Sequence, residues 1–191
     1  MTKNIMIVGV GGQGTLLASR ILGNLFVKNG FDVKVSEVHG MSQRGGSVVT
    51  YVRFGEKVYS PIIDKGEADV ILSFELLEAA RWTEYLKKDG VIITNSQEIN
   101  PMPVITGNAE YPADIEEKIK ALGLNIKAFD ALKLAEEAGT SKAVNIVLLG
   151  ALSKYFDFTE DEWKTTIVEN VNPKFAEINV KAFGLGRALE I

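Results

Sequence analysis

Three observations predict an α/β chain. Short apolar runs at residues 5–8, 68–73 and 90–95 read as buried parallel strands. Segments with helical periodicity stand between them. The third is the spacing Gly9-x-Gly11-x-x-Gly14, placed where the first strand meets the first helix. Strand, helix and strand in that order imply right-handed crossovers and a Rossmann-like three-layer fold with a mostly parallel sheet, a hairpin insertion and C-terminal helices. With 191 residues the chain is expected to form a single domain, 1–191, whose C-terminal helical part starts at about residue 140.

Taken in order, the first strand at 5–8 leads into a helix carrying Leu16, Leu17, Ile21, Leu22, Leu25 and Phe26 at helical spacing, stopped by Gly30. Residues 31–38 alternate apolar and polar, as do 48–54. Gly55-Glu56 then predicts a tight turn into Val58-Tyr59, the expected hairpin. After the strand at 68–73, residues 75–88 read as an amphipathic helix whose end carries Lys87-Lys88 in solvent, and 90–95 as a strand. Pro101, Pro103, Gly107 and Pro112 mark a connecting stretch at 97–112 where a regular helix is not expected.

Helix at 114–122, strand at 125–129 and helix at 131–138 follow, the last ended by Gly139. Residues 144–155 are apolar nearly all round and predict a buried helix, in which Asn145 and Gly150 require a polar partner and a close neighbour. Thr159 with Glu162 spells a capping box, and 173–189 a last helix. Asp130 and Glu75 suit helix N-termini. Trp82 and Tyr85, like Tyr155, Phe156 and Phe158, read as core or interface.

Composition excludes several classes. A hydrophobic fraction of 46% and a charged fraction of 24% are those of a globular chain. No apolar run reaches the roughly 18–20 residues of a membrane span. Residues 1–4 lack the zones of a signal peptide, so a cytoplasmic protein is expected. The net charge of −4, without a basic stripe, argues against nucleic-acid binding. There are no cysteines, hence no disulfide, no thiol nucleophile and no thiolate ligand for an iron–sulfur cluster.

In the first loop, Gly9, Gly11, Gly12, Gln13 and Gly14 make a glycine-rich turn in which a ligand anion can approach backbone N–H groups at a helix start. An acidic residue about twenty residues on would hold a ribose 2′-hydroxyl, and Glu37 falls there. That spacing alone leaves open a nicotinamide-dependent enzyme, a packing role for the glycines, or the binding of a neighbouring subunit. A second run, residues 39–47, follows the carboxyl end of the second strand, where ligands of open α/β sheets bind. It holds the one histidine, His39, with Met41, Gln43, Arg44, Gly45 and Gly46. Arg44 presents a planar fork suited to carboxylate or phosphate, and Gln43 adds amide donors. The two loops are expected to face one another.

With both runs on the page, Gly9 to Gly14 as G-V-G-G-Q-G and Glu37 to Val48 as E-V-H-G-M-S-Q-R-G-G-S-V, together with Tyr59-Ser60-Pro61-Ile62-Ile63 before the Ala68-Asp69-Val70 strand, the sequence resembles the gamma-type domain of the 2-oxoacid:ferredoxin oxidoreductases. Within that family it is most similar to the small subunits of the indolepyruvate branch, because His39-Gly40-Met41 precedes Arg44-Gly45. The resemblance implies oxidative decarboxylation of a 2-oxoacid with coenzyme A as co-substrate, giving acyl-CoA, carbon dioxide and reduced ferredoxin. It also implies a larger partner subunit that holds the thiamine diphosphate and the iron–sulfur clusters, with no cofactor held by this chain alone.

The site residues it implies are His39, Gln43 and Arg44 for catalysis, and Gly9, Gly11, Gly12, Gln13, Gly14, Gly45 and Gly46 around the bound group. A pyruvate- or 2-oxoglutarate-specific member, an autonomous NAD(P)-dependent oxidoreductase and a purely structural module are the alternatives.

Overall fold

The structure, a computed structural model, describes residues 2–40 and 45–190. Six strands form one mixed sheet: β1 (Lys3–Val10), β2 (Asp32–His39), β3 (Ser47–Gly55), β4 (Ala68–Ser73), β5 (Leu86–Asn95) and β6 (Asn125–Phe129), in the order β2-β3-β1-β4-β5-β6. β1, β4, β5 and β6 run parallel, whereas β3 is antiparallel to both β1 and β2.

Period-two alternation sends each strand's side chains to two separate cores. On one face Ile5, Ile7, Val52, Phe54, Val70, Leu72 and Ile93 pack with α1 (Thr15–Lys28), α5 (Ala131–Ala138), α6 (Val144–Leu152), α7 (Glu160–Asn170) and α8 (Ala176–Arg187). On the other, Met6, Val8, Tyr51, Ile71 and Ile92 meet α2 (Leu76–Arg81) and α4 (Ile115–Ala121). The result is three layers. Phe26 of α1 stacks on Phe54 with ring centroids 3.7 Å apart, and Phe156 and Phe158 close the same cluster as core residues.

Two expectations are corrected. The hairpin forms between β2 and β3, not between β3 and residues 58–59, because both edges of β3 are already paired with β1 and β2. Residues 58–62 are instead fastened by side chains: Val58 N–H donates to Asp32 (2.9 Å), and Arg53 donates to the carbonyls of Ser60 (3.1 Å) and Ile62 (2.5 Å).

The helix expected over 75–88 ends at Arg81, and after a turn of 3-10 helix at Thr83–Tyr85 strand β5 begins at Leu86. Leu86 pairs with Ala68 and packs into the second core beside Trp82 and Tyr85, so tertiary contact overrides helical periodicity there. Lys87 and Lys88 therefore lie on a strand. In the proline-marked stretch, a single turn, α3 (Met102–Ile105), is present.

Two close approaches fix the helical layer. A Cβ on Gly150 of α6 would stand 2.2 Å from the Phe183 carbonyl oxygen, and one on Gly186 of α8 would stand 2.0 Å from that of Val147. The near neighbour required by Gly150 is thus the backbone of α8.

The capping box of α7 has both its bonds: Glu162 N–H to Thr159 Oγ1 (3.3 Å) and Thr159 N–H to Glu162 Oε2 (2.7 Å). Thr159 Oγ1 also donates to Glu162 Oε2 (2.7 Å), and this bond first, then the one from the Thr159 backbone N–H, holds the Glu162 carboxyl below its ordinary value of 4.5. A carboxylate with a lowered folded-state pKa stabilises the fold above its unfolded value, and that contribution is lost as the pH falls through the folded one. Thermal unfolding followed by circular dichroism should show the midpoint dropping below about pH 4.5, the unfolded value. Glu162→Ala should reduce that acid-side slope while lowering the midpoint at pH 7. An unchanged slope would assign the acid sensitivity elsewhere.

Candidate functional site

β1 ends at the rim of the sheet, where Gly11, Gly12, Gln13 and Gly14 turn the chain into α1. Gly11 N–H donates to the Gly46 carbonyl (2.9 Å) and Gly45 N–H to the Gly11 carbonyl (3.4 Å). The two glycine runs predicted to face one another are bonded to each other through their backbones. Gly45 sits at a φ of 75°, in the left-handed region, where a side chain would be strained although a Cβ would meet nothing within 4 Å.

Gln13 commits both ends of its amide to the fold. Its Oε1 accepts from Val10 N–H (2.7 Å) and its Nε2 donates to the Phe74 carbonyl (3.0 Å), which also accepts from Asn95 Nδ2 (3.3 Å). One carbonyl at the end of β4 thereby ties the glycine loop to β5. A Cβ on Gly9 would lie 2.9 Å from both Gln13 Oε1 and Phe74 Cβ, which is why glycine stands there. Gln13 is a fastening of the loop.

Gly14 caps α1 with φ at 90°, without a side-chain cap, and no acidic residue occupies the first turn. The first-turn amides have no intrahelical partner and carry the positive end of the helix dipole. They open onto a cleft of about 420 Å³ lined by Gly11, Gly12, Gly14, Thr15, Glu37 and His39, among others. On the other side of the loop, a second cleft of about 480 Å³ is lined by Gly12, Gln13, Gly14, Gln97 and Lys142. Buried Asn145 donates to the Gly14 carbonyl (3.4 Å), so the amide of the apolar helix ties down the glycine loop.

His39 is exposed, with Nδ1 3.0 Å from the Gly40 carbonyl oxygen, and among the described residues no carboxylate contacts it. Glu37 accepts from Thr50 Oγ1 (3.2 Å). Because β3 lies between β1 and β2, Glu37 stands two strands from the glycine loop, about 10 Å across the sheet rather than about 5 Å. That separation departs from the adjacent strands of a dinucleotide fold, although Glu37 lines the same cleft as Gly11, Gly12 and Gly14. Gln43 and Arg44, like Met41, lie outside the described residues.

Of the polar groups that build this rim from below, sequence reasoning placed Glu75 at a helix N-terminus, where it lies, and missed Glu78. Glu78 of α2 is buried; it accepts from Ser47 Oγ (2.5 Å) and pairs with Arg81 (3.2 Å). Glu75, also buried, caps α2 by accepting from Glu78 N–H (2.8 Å), and accepts from Ile99 N–H (3.0 Å) and Tyr111 Oη (2.5 Å). Burial first, then the Glu75 carboxylate, keeps the Tyr111 phenol well above the usual tyrosine range, so it remains a donor. The signal for Glu78 was an acidic residue on the apolar face of a short helix.

The donor set sorts the implied groups. Without cysteine the chain offers no thiolate to a cluster, and the described residues bring together no group of three His, Asp or Glu that could hold a metal. An anion fits the first-turn amides. No helix among the described residues is long and apolar enough to cross a membrane.

Comparison with known proteins agrees with this architecture. The pyruvate ferredoxin/flavodoxin oxidoreductase family matches residues 4–189. The indolepyruvate oxidoreductase subunit IorB of Thermococcus kodakarensis is 50% identical, over 96% of this chain and 93% of its own length. The protein of the same name in Pyrococcus horikoshii is 48% identical, over 96% and 93%.

Among solved structures, the gamma subunit of a keto/oxoacid ferredoxin oxidoreductase from Geobacter sulfurreducens superposes with a TM-score of 0.71, covering 96% of this chain and 95% of that one at 23% identity, and so shares the fold. A Rossmann-like sheet with an interposed antiparallel strand, two glycine runs bonded at its rim and a match over nearly the whole length place the chain in the pyruvate ferredoxin/flavodoxin oxidoreductase family.

Proposed function

We infer that the chain is the small subunit of a thiamine diphosphate-dependent 2-oxoacid:ferredoxin oxidoreductase that oxidatively decarboxylates indolepyruvate and related aryl pyruvates. It works in the cytoplasm as one gamma-type domain. The products are an acyl-CoA, carbon dioxide and reduced ferredoxin. Support for the aryl branch comes from the indolepyruvate relatives, about half identical over nearly their full lengths. The absence of cysteine supports a division of labour in which a larger subunit holds the clusters and the thiamine diphosphate.

The observation that carries the site is the pair of backbone bonds joining Gly11 to Gly45 and Gly46 beside the open start of α1. This face forms one wall of an active site completed by the partner. Thiamine diphosphate, where bound, supplies the carbanion chemistry; this chain binds and orients. The first-turn amides and the backbone of Gly12 and Gly14 hold an anionic group, either the 2-oxoacid carboxylate or a coenzyme A phosphate. Gly9 and Gln13 set the loop's shape, Gln43 and Arg44 orient that anion from the second run, and His39 assists in positioning it.

Co-expression with the larger subunit, followed by ferredoxin or dye reduction, tests the reading. Indolepyruvate and phenylpyruvate should be turned over at least about tenfold more efficiently than pyruvate or 2-oxoglutarate, a 1.4 kcal/mol discrimination. Preference for pyruvate would overturn the substrate branch, and an active larger subunit without this chain would overturn the subunit role. In the assembled complex Arg44→Ala should lower activity about tenfold or more. Full activity with assembly verified would remove Arg44 from the site.

A further inference from the structure

The buried carboxylate of Glu78 has no part in the chemistry outlined above, yet it is costly. Removing a carboxylate from water costs several kcal/mol even after relaxation, and an apolar side chain on the same helix face would fill the space without that cost. Its two oxygens are both engaged. Oε2 accepts from the hydroxyl of Ser47 at 2.5 Å, and Oε1 pairs with Arg81, 3.2 Å away, whose side chain is 45% exposed.

Ser47 is the first residue of β3 and follows directly on Gly45-Gly46, the two glycines bonded to Gly11. Val10 pairs with Ser47 in the ladder, so Ser47 sits opposite the last residue before the glycine loop. A rigid connection therefore runs from Arg81 through Glu78 and Ser47 to Gly46, and from there to Gly11 at the cleft. Glu78 itself is set by Glu75, which accepts from its backbone N–H. Apart from the peptide bond between Gly46 and Ser47, every link in that connection is a hydrogen bond or an ion pair with a direction, which an apolar contact would not supply.

We propose that Glu78 is a positioning residue for the anion cleft: by holding Ser47 it fixes where Gly45 and Gly46 rest against Gly11, and hence the spacing of the two glycine runs around the bound group. The proposal rests on the reading of the cleft as the wall that receives an anionic substrate group. It assigns Glu78 no contact with substrate. Ser47 and Glu78 act as one unit, so removing either loses the same constraint.

The test uses the assembled complex with the larger subunit. Glu78→Ala and Ser47→Ala should each raise the KM for the 2-oxoacid or for coenzyme A about tenfold, with kcat changed less than about threefold, and the double variant should be no worse than either single one. Glu78→Gln should recover most of the loss, because its carboxamide oxygen still accepts from Ser47. A merely structural role would lower the yield or the thermal midpoint of the complex and leave both KM values alone. Unchanged KM values in fully assembled Glu78→Ala and Ser47→Ala complexes overturn the proposal, as does additivity of the two substitutions.

Arg44→Ala measured alongside separates the two levels. If it is impaired while Glu78→Ala is not, the positioning role falls and the anion cleft stands. If neither is impaired, the cleft falls with it. Should Glu78→Ala fail to fold, Ser47→Ala, which removes only a hydroxyl, decides the question alone.

Discussion

Replacing Gly186 by alanine is expected to be the most damaging conservative change in the chain. The new Cβ would lie 2.0 Å from the Val147 carbonyl oxygen and 2.8 Å from its carbonyl carbon, and neither atom belongs to a side chain that can swing away. α6 and α8 would have to part along their whole contact, which also buries Ile146, Leu149, Ala182 and Phe183. Overpacking of this kind costs about 1–3 kcal/mol when side chains can yield. Against backbone, the loss should exceed about 3 kcal/mol of a total of about 5–15 kcal/mol.

Gly150→Ala, with its Cβ 2.2 Å from the Phe183 carbonyl oxygen, should behave alike. Gly184, which shares α8 with Gly186, is the control. A Cβ there meets nothing, so alanine should be neutral or stabilise by up to about 1 kcal/mol through helix propensity. Urea unfolding of the three variants measures this directly. A Gly186→Ala midpoint close to wild type would mean that the helices do not approach so closely.

The second large effect is expected on activity, from Gly14→Ala. Here two penalties coincide. A φ of 90° lies in the left-handed region, at about 1–2 kcal/mol for a residue with a Cβ, and that Cβ would stand 2.8 Å from Nδ2 of buried Asn145. The asparagine cannot withdraw without giving up the Gly14 carbonyl, so the loop moves instead.

A displacement of about 1 Å at a binding loop can cost about a hundredfold in rate, and kcat/KM of the reconstituted complex should fall by about that factor. Gly12→Ala isolates the strain: its φ is 101°, but a Cβ there meets nothing, so its stability loss should be about 1 kcal/mol. Equal kcat/KM values for Gly14→Ala and wild type in the assembled complex would show that the loop's position is not critical.

Much of this architecture was legible in the residues themselves. Apolar runs at 5–8 and 68–73, the stops at Gly30 and Gly139 and the capping box at Thr159 are local signals, and each forms the element expected of it. Asn145 and Gly150 announced neighbours by being out of place in an apolar helix, and both neighbours exist. The facing of the two glycine runs followed from where strands end.

What failed was set by partners distant in sequence. Nothing near Gly55 says that both edges of β3 are taken, and nothing near Leu86 says that Ala68 draws it into the sheet. Gln13 offers amide donors, but only the fold shows that the Phe74 carbonyl accepts from its Nε2. An acid in an amphipathic helix is usually solvated, so nothing local marks Glu78, whose use depends on Ser47, far away along the chain.

The seat of β3 between β1 and β2 also dictates an order of assembly. Until residue 55 has been synthesised, β1 and β2 have no bridge between them, and β1 must wait still longer for β4 on its other flank. A nascent chain that has produced only its glycine loop and first helix therefore holds two unsatisfied strand edges, and the rim where the two glycine runs meet comes into being late. Pairings of that range slow folding and leave apolar strands exposed meanwhile. Ribosome-stalled fragments ending before β3 should be captured by chaperones, and those extending past β4 should escape them.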